Sequence, residues 1–268
     1  MTDFNYSKEH LLYVKKLKKE KMAVKVTQIL VLILFLFIWE FLTYLNLIDG
    51  FLFSSPSRII QTIKTLYTSG ELFLHITTTL FETVVGFLIA SLVGILVAVV
   101  FWWSTFLRKV FEPYVVVLNS LPKIALGPLI IIWFGAGTKA IIFMTFLVTV
   151  IVTIINMYAG FQEVEEGKIF LLRSLGASKG KIFRYLIMPS SIPTLISTLK
   201  INVGMSWIGS IMGEYLVSKQ GIGYLIVYGG QVFKLDLVMT GTVTLCFLAA
   251  IMYFFVSALE KRIVKKSK

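Results

Sequence analysis

Apolar and polar residues divide this chain into long hydrophobic runs joined by short polar breaks. Six runs approach or exceed the roughly 20 residues that a helix needs to cross the hydrocarbon core of a bilayer. They lie at about 26–48, 76–104, 111–134, 139–161, 191–216 and 237–259. The sixth holds no charged residue, and the fourth none beyond Lys139 at its start; Pro122 and Lys123 interrupt the third. Backbone groups must be satisfied inside lipid, and two-residue alternation is absent, so each run predicts a helix. The expected fold is an all-α integral membrane protein with about six transmembrane helices. Between the first two, Ser54-Ser55-Pro56-Ser57 breaks the chain. Ile59, Ile60, Ile63 and Leu66 then form an apolar helix face, expected to lie on the membrane or beneath an outside partner.

Between the fourth and fifth runs the pattern changes again. Glu163 to Lys168 is polar, and then apolar residues return at three- and four-residue spacing: Ile169, Leu172, Leu175, and later Ile182, Phe183, Leu186. Gly176 falls where two short helices meet, a position that suits a residue tolerant of left-handed backbone. Pro189 and Pro193 mark the return to the bilayer, since proline fits a first helical turn. A pair this short is no domain, and its apolar face predicts insertion into a groove on a partner.

Composition agrees with a membrane protein: 57% of residues are hydrophobic and mean hydropathy is +0.86. The 268 residues suit a basic N-terminal segment (1–25) and one transmembrane domain (26–268), with no linker or low-complexity tract. The first run is too long for a cleavable signal peptide, and Asn46 to Asp49 offers no small-residue cleavage site. The net charge of +12 raises nucleic acid, but its distribution argues for orientation instead. With the N-terminus in the cytosol, nineteen of the 26 lysines and arginines fall inside, among them Lys15, Arg108, Arg184 and Lys261. Arg58, Lys64, Lys139, Lys219 and Lys234 fall outside. Both termini are therefore expected to be cytoplasmic, with basic ends near anionic lipid headgroups and no nucleic-acid partner.

Catalytic chemistry has no candidate residues. His10 and His75 are the only histidines and are placed on opposite sides of the membrane, so no metal site is expected. Gly176-Ala177-Ser178-Lys179-Gly180-Lys181 lacks the glycine gap and the Ser/Thr of a phosphate loop. Cys246, the single cysteine, reads as a small buried hydrophobe.

Charged groups at bilayer depth mark cavities or partners. Lys200 and Glu214 lie 14 residues apart on the fifth run, on one helix face at opposite ends. Asn202, Ser206, Trp207, Ser210 and Glu214, with Gly204 and Ile211 nearby, are candidates for a translocation path. Plain helix packing is the rival reading, supported by Gly209 and Gly213 at small-xxx-small spacing. Lys123, beside Pro122, is a candidate attractor for an anionic solute. Glu40 and Glu82 are candidate interhelical hydrogen-bond partners.

Leu175-Gly176-Ala177-Ser178, followed by Phe183, Pro189, Pro193 and Lys200, resembles the cytosolic coupling loop of type I ABC importer permeases. Leu121-Pro122-Lys123-Ile124-Ala125-Leu126-Gly127-Pro128-Leu129 with Trp133-Phe134-Gly135 is similar to the third-span signature of the nitrate, sulfonate and taurine branch. Gly86-Phe87 with Gly94, and Glu214 with Gly221-Ile222-Gly223, look like its second and fifth spans. The resemblance covers roughly residues 76–260, with the coupling loop at about 162–190. It implies the type I ABC importer permease fold in a bacterial cell membrane. By resemblance Arg173, Leu175, Gly176, Ala177, Ser178, Lys179 and Phe183 meet the ATPase. Implied partners are two ATP-binding cassette subunits, a second permease copy in a homodimer, and an extracytoplasmic solute-binding protein. The chain itself would hold no cofactor and be no enzyme, ATP and Mg being bound by the ATPase. The implied solute is small and anionic, or else a thiamine-precursor pyrimidine or riboflavin. A self-sufficient ion-driven secondary transporter is the rival class. Two departures stand out. Phe170, Leu171 and Leu172 occupy the family's Glu-Ala-Ala positions, leaving Glu165 or Glu166 to supply an acidic contact, and Glu82 stands where many relatives carry a basic residue.

Overall fold

The structure, a computed structural model, describes residues 8–266, with side chains from 12 to 260. Among the described residues there are helices and no strand. The chain runs through α1 (Lys8–Tyr44), α2 (Gly50–Phe53), α3 (Pro56–Thr68), α4 (Glu71–Trp103) and α5 (Thr105–Ser120). A 3-10 turn (Lys123–Leu126) leads to α6 (Gly127–Phe134), α7 (Thr138–Gln162), α8 (Glu166–Ser174) and α9 (Lys179–Ile182). A π turn (Phe183–Ile187) then precedes α10 (Met188–Ser190), α11 (Ile192–Val217), α12 (Ile222–Gln231) and α13 (Leu235–Lys266).

The heart of the molecule is the packing of α4, α7 and α11. Lipid offers no hydrophobic drive between helices, so close approach and interhelical hydrogen bonds must supply the adhesion. Glycines make that approach possible. A Cβ on Gly94 would stand 2.5 Å from Cβ of Thr153, and one on Gly209 2.6 Å from Cα of Thr145. Hydroxyl and amide groups then bond across the seam. Thr83 meets Ser210 at 2.7 Å, Thr149 meets Ser206 at 3.2 Å, and Asn202 donates to both Ser91 and Thr153 at 2.9 Å. A second layer places α13 against α11 and α12, around Phe87, Val203, Trp207, Ile222 and Leu248.

Among the described residues α1, α4, α7 and α13 are long and apolar enough to cross a membrane. The run expected as one span over 111–134 is instead broken. α5 ends at Ser120, and the following 3-10/α6 pair turns away by 93°, so the two count as a fifth span only when taken together. Pro122 supplies no N–H to continue the helix, and Lys123 Nζ donates to the Asn119 carbonyl in its last turn at 2.8 Å. The fifth expected span is α11, whose 26 residues rise about 39 Å at 1.5 Å per residue. Its buried polar residues lower its apolarity, while α4 and α7 flank it.

Two further expectations change, and Lys200 gains a partner. The apolar face of α3 turns onto the chain itself, with Ile59 and Leu66 buried and Leu66 packed on Leu225 and Leu237, while Ile60 stays exposed. Cys246 is exposed on α13, not buried. Lys200 does not stand alone: its Nζ donates to Glu260 Oε2 on α13 at 2.6 Å. Glu40 fulfils its expected role, with its carboxylate accepting from Ser57 N–H at 2.9 Å and Ser57 Oγ at 2.8 Å. Those bonds join α1 to the first turn of α3. The side chains of Lys8, His10, Lys261, Arg262, Lys265 and Lys266, and Lys268 as a whole, lie outside the described residues.

Candidate functional site: a polar elbow and a buried seam

The elbow after α7 begins with a sharp stop. Ala177 N–H bonds to the Leu172 carbonyl and Gly176 N–H to the Arg173 carbonyl, both at 2.9 Å. Gly176 adopts φ +77. These two bonds and the left-handed residue are a Schellman cap, which favours glycine because an L side chain strains left-handed backbone, although the space beside Gly176 is open. Pro189 and Pro193 sit in the first turns of α10 and α11, as their chemistry predicts.

The elbow's apolar stripe does not wait for a partner. Ile169, Leu172, Ala177, Ile182, Phe183 and Leu186 pack on Ala98, Met157 and Phe161 at the ends of α4 and α7. Aromatic contacts tighten this seat: Phe183 lies 5.0 Å from Trp102 and 5.7 Å from Phe161 between ring centroids. Lys179 Nζ donates to the Trp103 carbonyl at 2.5 Å and lies over both tryptophan rings. So Ala177, Lys179 and Phe183 fix the elbow to the bundle, whereas Arg173, Leu175, Gly176 and Ser178 remain exposed. Sequence reasoning missed a second apolar set, with Phe170 at 72% exposure, Leu171 and Tyr185 projecting outward; Leu175, expected on the stripe, leaves it to join them at 74%. Glu165 is exposed and bonds to Lys168 at 3.1 Å.

The residues expected to line a path lie in the interior of the chain. Asn202, Ser206, Trp207, Ser210 and Glu214 are all buried inside the single chain, and the first four face α4, α7 or α13. Asn202, Ser206 and Ser210 form the adhesive seam described above. Lys123 does not join them; its amine is spent on Asn119. The exposed stripe of α11 is Ser197, Ile201, Gly204, Ile208 and Tyr215.

Near the C-terminal end of α11, side chains from three helices converge. His75 Nδ1 accepts from Gly221 N–H at 2.9 Å, Thr79 Oγ1 accepts from Ile222 N–H at 2.8 Å, and Glu214 Oε2 accepts from Gly223 N–H at 2.5 Å. The His75 ring stacks on Tyr224 at 6.0 Å. The first N–H groups of α12, which lack partners within their own helix, are thereby claimed by α4 and α11. His75 and Thr79 gave no local signal in the sequence, because their partners lie some 140 residues away.

Residues 90–265 match the family described as binding-protein-dependent transport system inner membrane component. The chain belongs to that family. The match takes in the elbow and the whole α7–α11 seam. The taurine transport system permease protein TauC of Escherichia coli K12 is 24% identical over 231 residues, 84% of each chain. The putative aliphatic sulfonates transport permease SsuC of Bacillus subtilis is 25% identical, covering 85% of this chain and 83% of its own. The formylaminopyrimidine transport permease ThiX of Halalkalibacterium halodurans is 30% identical over 63% of this chain and 68% of its own. Among solved structures, a bacterial ABC transporter importing alginate superposes with TM-score 0.65 at 16% identity, covering 94% and 99% of the two chains. The MetNI methionine ABC transporter gives 0.62 at 21% identity, over 72% of this chain and 94% of that one. These likenesses support the all-helical ABC importer permease fold, and the apolar helices make the chain a multi-pass membrane protein.

Proposed function

We propose that this permease forms the translocation path of an ATP-driven importer in a bacterial cell membrane. Its solute is small and anionic, resembling taurine or an aliphatic sulfonate. An extracytoplasmic binding protein delivers the solute, and two ATP-binding cassette subunits drive alternating access through the elbow. A second copy completes the path, and one transmembrane domain (26–268) carries both termini on the ATPase side. The relatives matched over most of their length support the taurine and sulfonate reading. The pyrimidine permease keeps formylaminopyrimidine-type solutes as the second choice.

The observation that carries the mechanism is the elbow's two-sided construction. One face is locked to the ends of α4 and α7, and the other leaves Phe170, Leu171, Leu175 and Tyr185 bare beside Arg173 and Arg184. A push on the bare face therefore moves α4, α7 and α11 as a body, a rigid-body mode of switching. ATP and Mg belong to the partner in this scheme. The solute travels along the exposed face of α11, while its buried face holds the bundle together.

The test is Gly176→Val in the assembled transporter, reconstituted in proteoliposomes with its ATPase and binding protein. A β-branched residue in left-handed backbone costs roughly 1–2 kcal/mol and misdirects the turn. ATP-driven uptake should fall at least tenfold while the transmembrane helices stay folded. Normal uptake and normal solute-stimulated ATP hydrolysis in that variant would refute the coupling role.

A further inference from the structure

Two carboxyl groups meet where α11 ends against α4. Glu82 and Glu214 are each 1% exposed and are neighbours across the α4–α11 contact, where Thr83, next to Glu82, meets Ser210, one turn before Glu214, at 2.7 Å. Glu214 Oε2 accepts from Gly223 N–H at 2.5 Å. Its other oxygen, and Oε2 of Glu82, have no partner. Hydroxyls of Thr79 and Thr138 border the pair. Among the described residues, no lysine, arginine or histidine nitrogen comes within 4.0 Å of either carboxyl. The titratable neighbours are His75 on α4, Tyr215 on α11 and Tyr224 on α12. His75 Nδ1 already serves Gly221, and Tyr215 is on the exposed side of its helix. From α7 the nearby charge is Lys139, whose side chain lines the separate groove beside Val85 and Phe134.

Two ionised carboxylates cannot share a dry pocket, because each has lost its hydration and each repels the other. A protonated carboxyl is a donor and an ionised one an acceptor. One proton between them therefore gives both orphan oxygens a partner and removes one of two charges. The charge that remains faces Gly223 N–H at the first turn of the ten-residue helix α12, where a helix favours an anion.

We propose that Glu82 and Glu214 form a proton-binding site, one proton held between the two carboxyl groups, which ties the α11–α12 turn to α4. The site stands on the chain's own burial and geometry and not on the transport reading. Parting α11 from α4 breaks it and changes its proton occupancy.

Infrared difference spectroscopy of the purified full chain in lipid nanodiscs tests this. The wild-type chain should show a protonated-carboxyl C=O band at neutral pH that shifts on exchange into D2O and disappears on alkaline titration. The Glu82→Gln/Glu214→Gln variant, isosteric with the wild type, should lack it. Absence of the band from the wild type at neutral pH overturns the proposal whether or not the variant folds. So does a band of equal intensity in a folded double variant. A wild type without the band, but with a melting temperature raised by Na+ against a choline control, assigns the pocket to a metal cation and also overturns the proton.

Discussion

Gly209 and Gly204 lie five residues apart on α11 and should respond oppositely to the same methyl group. At Gly209 a Cβ would meet Cα of Thr145 at 2.6 Å, its amide nitrogen at 3.2 Å and the Met144 carbonyl oxygen at 3.4 Å. All three are backbone atoms of α7, so no side chain can rotate aside. Carbon atoms in good contact sit 3.5–4.0 Å apart, so α11 and α7 must separate locally by about 1 Å. The Thr149–Ser206 contact at 3.2 Å, one turn away, cannot survive that movement. Overpacking costs about 1–3 kcal/mol, and a broken hydrogen bond within the membrane adds about 0.6. Helix propensity returns roughly 0.8–1 kcal/mol for Gly→Ala, leaving a net loss of about 1–3 kcal/mol for Gly209→Ala. At Gly204 nothing lies within 4 Å of the added carbon, so Gly204→Ala keeps the propensity gain alone. SDS titration of the purified chain, with helicity followed by circular dichroism, measures both. Equal shifts, or a greater loss at Gly204, would refute the assigned α7–α11 interface.

Other outcomes follow from single contacts. Asn202→Ala removes two bonds joining three helices and should lower stability by about 1–2 kcal/mol, read in the same SDS titration; an unchanged midpoint would disprove the bridge. Cys246 should react with a small lipid-soluble maleimide in the folded chain nearly as fast as in the unfolded one, as mass spectrometry can show, since it is exposed on α13. Leu175→Ser should leave the melting temperature within error of the wild type but weaken ATPase association, because Leu175 touches little of its own chain. Lys200→Ala should loosen α13 without exposing the α7–α11 seam, visible as faster amide exchange confined to α13.

Much of the fold was legible, and the failures have a common physical cause. Lipid selects apolar residues on the outside, so the runs of Val, Ile, Leu and Phe marked the spans directly. Turn chemistry was equally plain: Gly176 and the two prolines fixed the elbow's bends, because few residues satisfy those backbone demands. The errors arose from carrying the rule of soluble proteins, apolar inside and polar outside, onto single faces. On α11 the relation is reversed, with Asn202, Ser206 and Ser210 inside and Ile201 and Ile208 outside. A polar stripe thus reads equally as an aqueous path or as interhelical packing, and here it supplies the bonds between helices. The elbow misled in the opposite sense: its apolar stripe met the projecting ends of α4 and α7, which no local pattern announces. The Glu82–Glu214 pairing was invisible for the simplest reason, a separation of more than 130 residues.

That reversal bears on where the proposed path can run along α11. The seam residues are engaged with neighbours, and opening them would expose Asn202 and break bonds to both α4 and α7. Water or solute running there would have to part the three helices that the elbow moves together. The stripe of Ser197, Ile201, Gly204, Ile208 and Tyr215 needs no such rupture, and Gly204 gives it its one open notch. Filling that notch should obstruct passage without touching the fold. Gly204→Phe is therefore expected to retain the wild-type SDS midpoint while reducing ATP-driven uptake in proteoliposomes by tenfold or more. Uptake at the wild-type rate would exclude the stripe as the path. A collapse of the midpoint would instead show that Gly204 is packed against its own chain, contrary to the open space beside it.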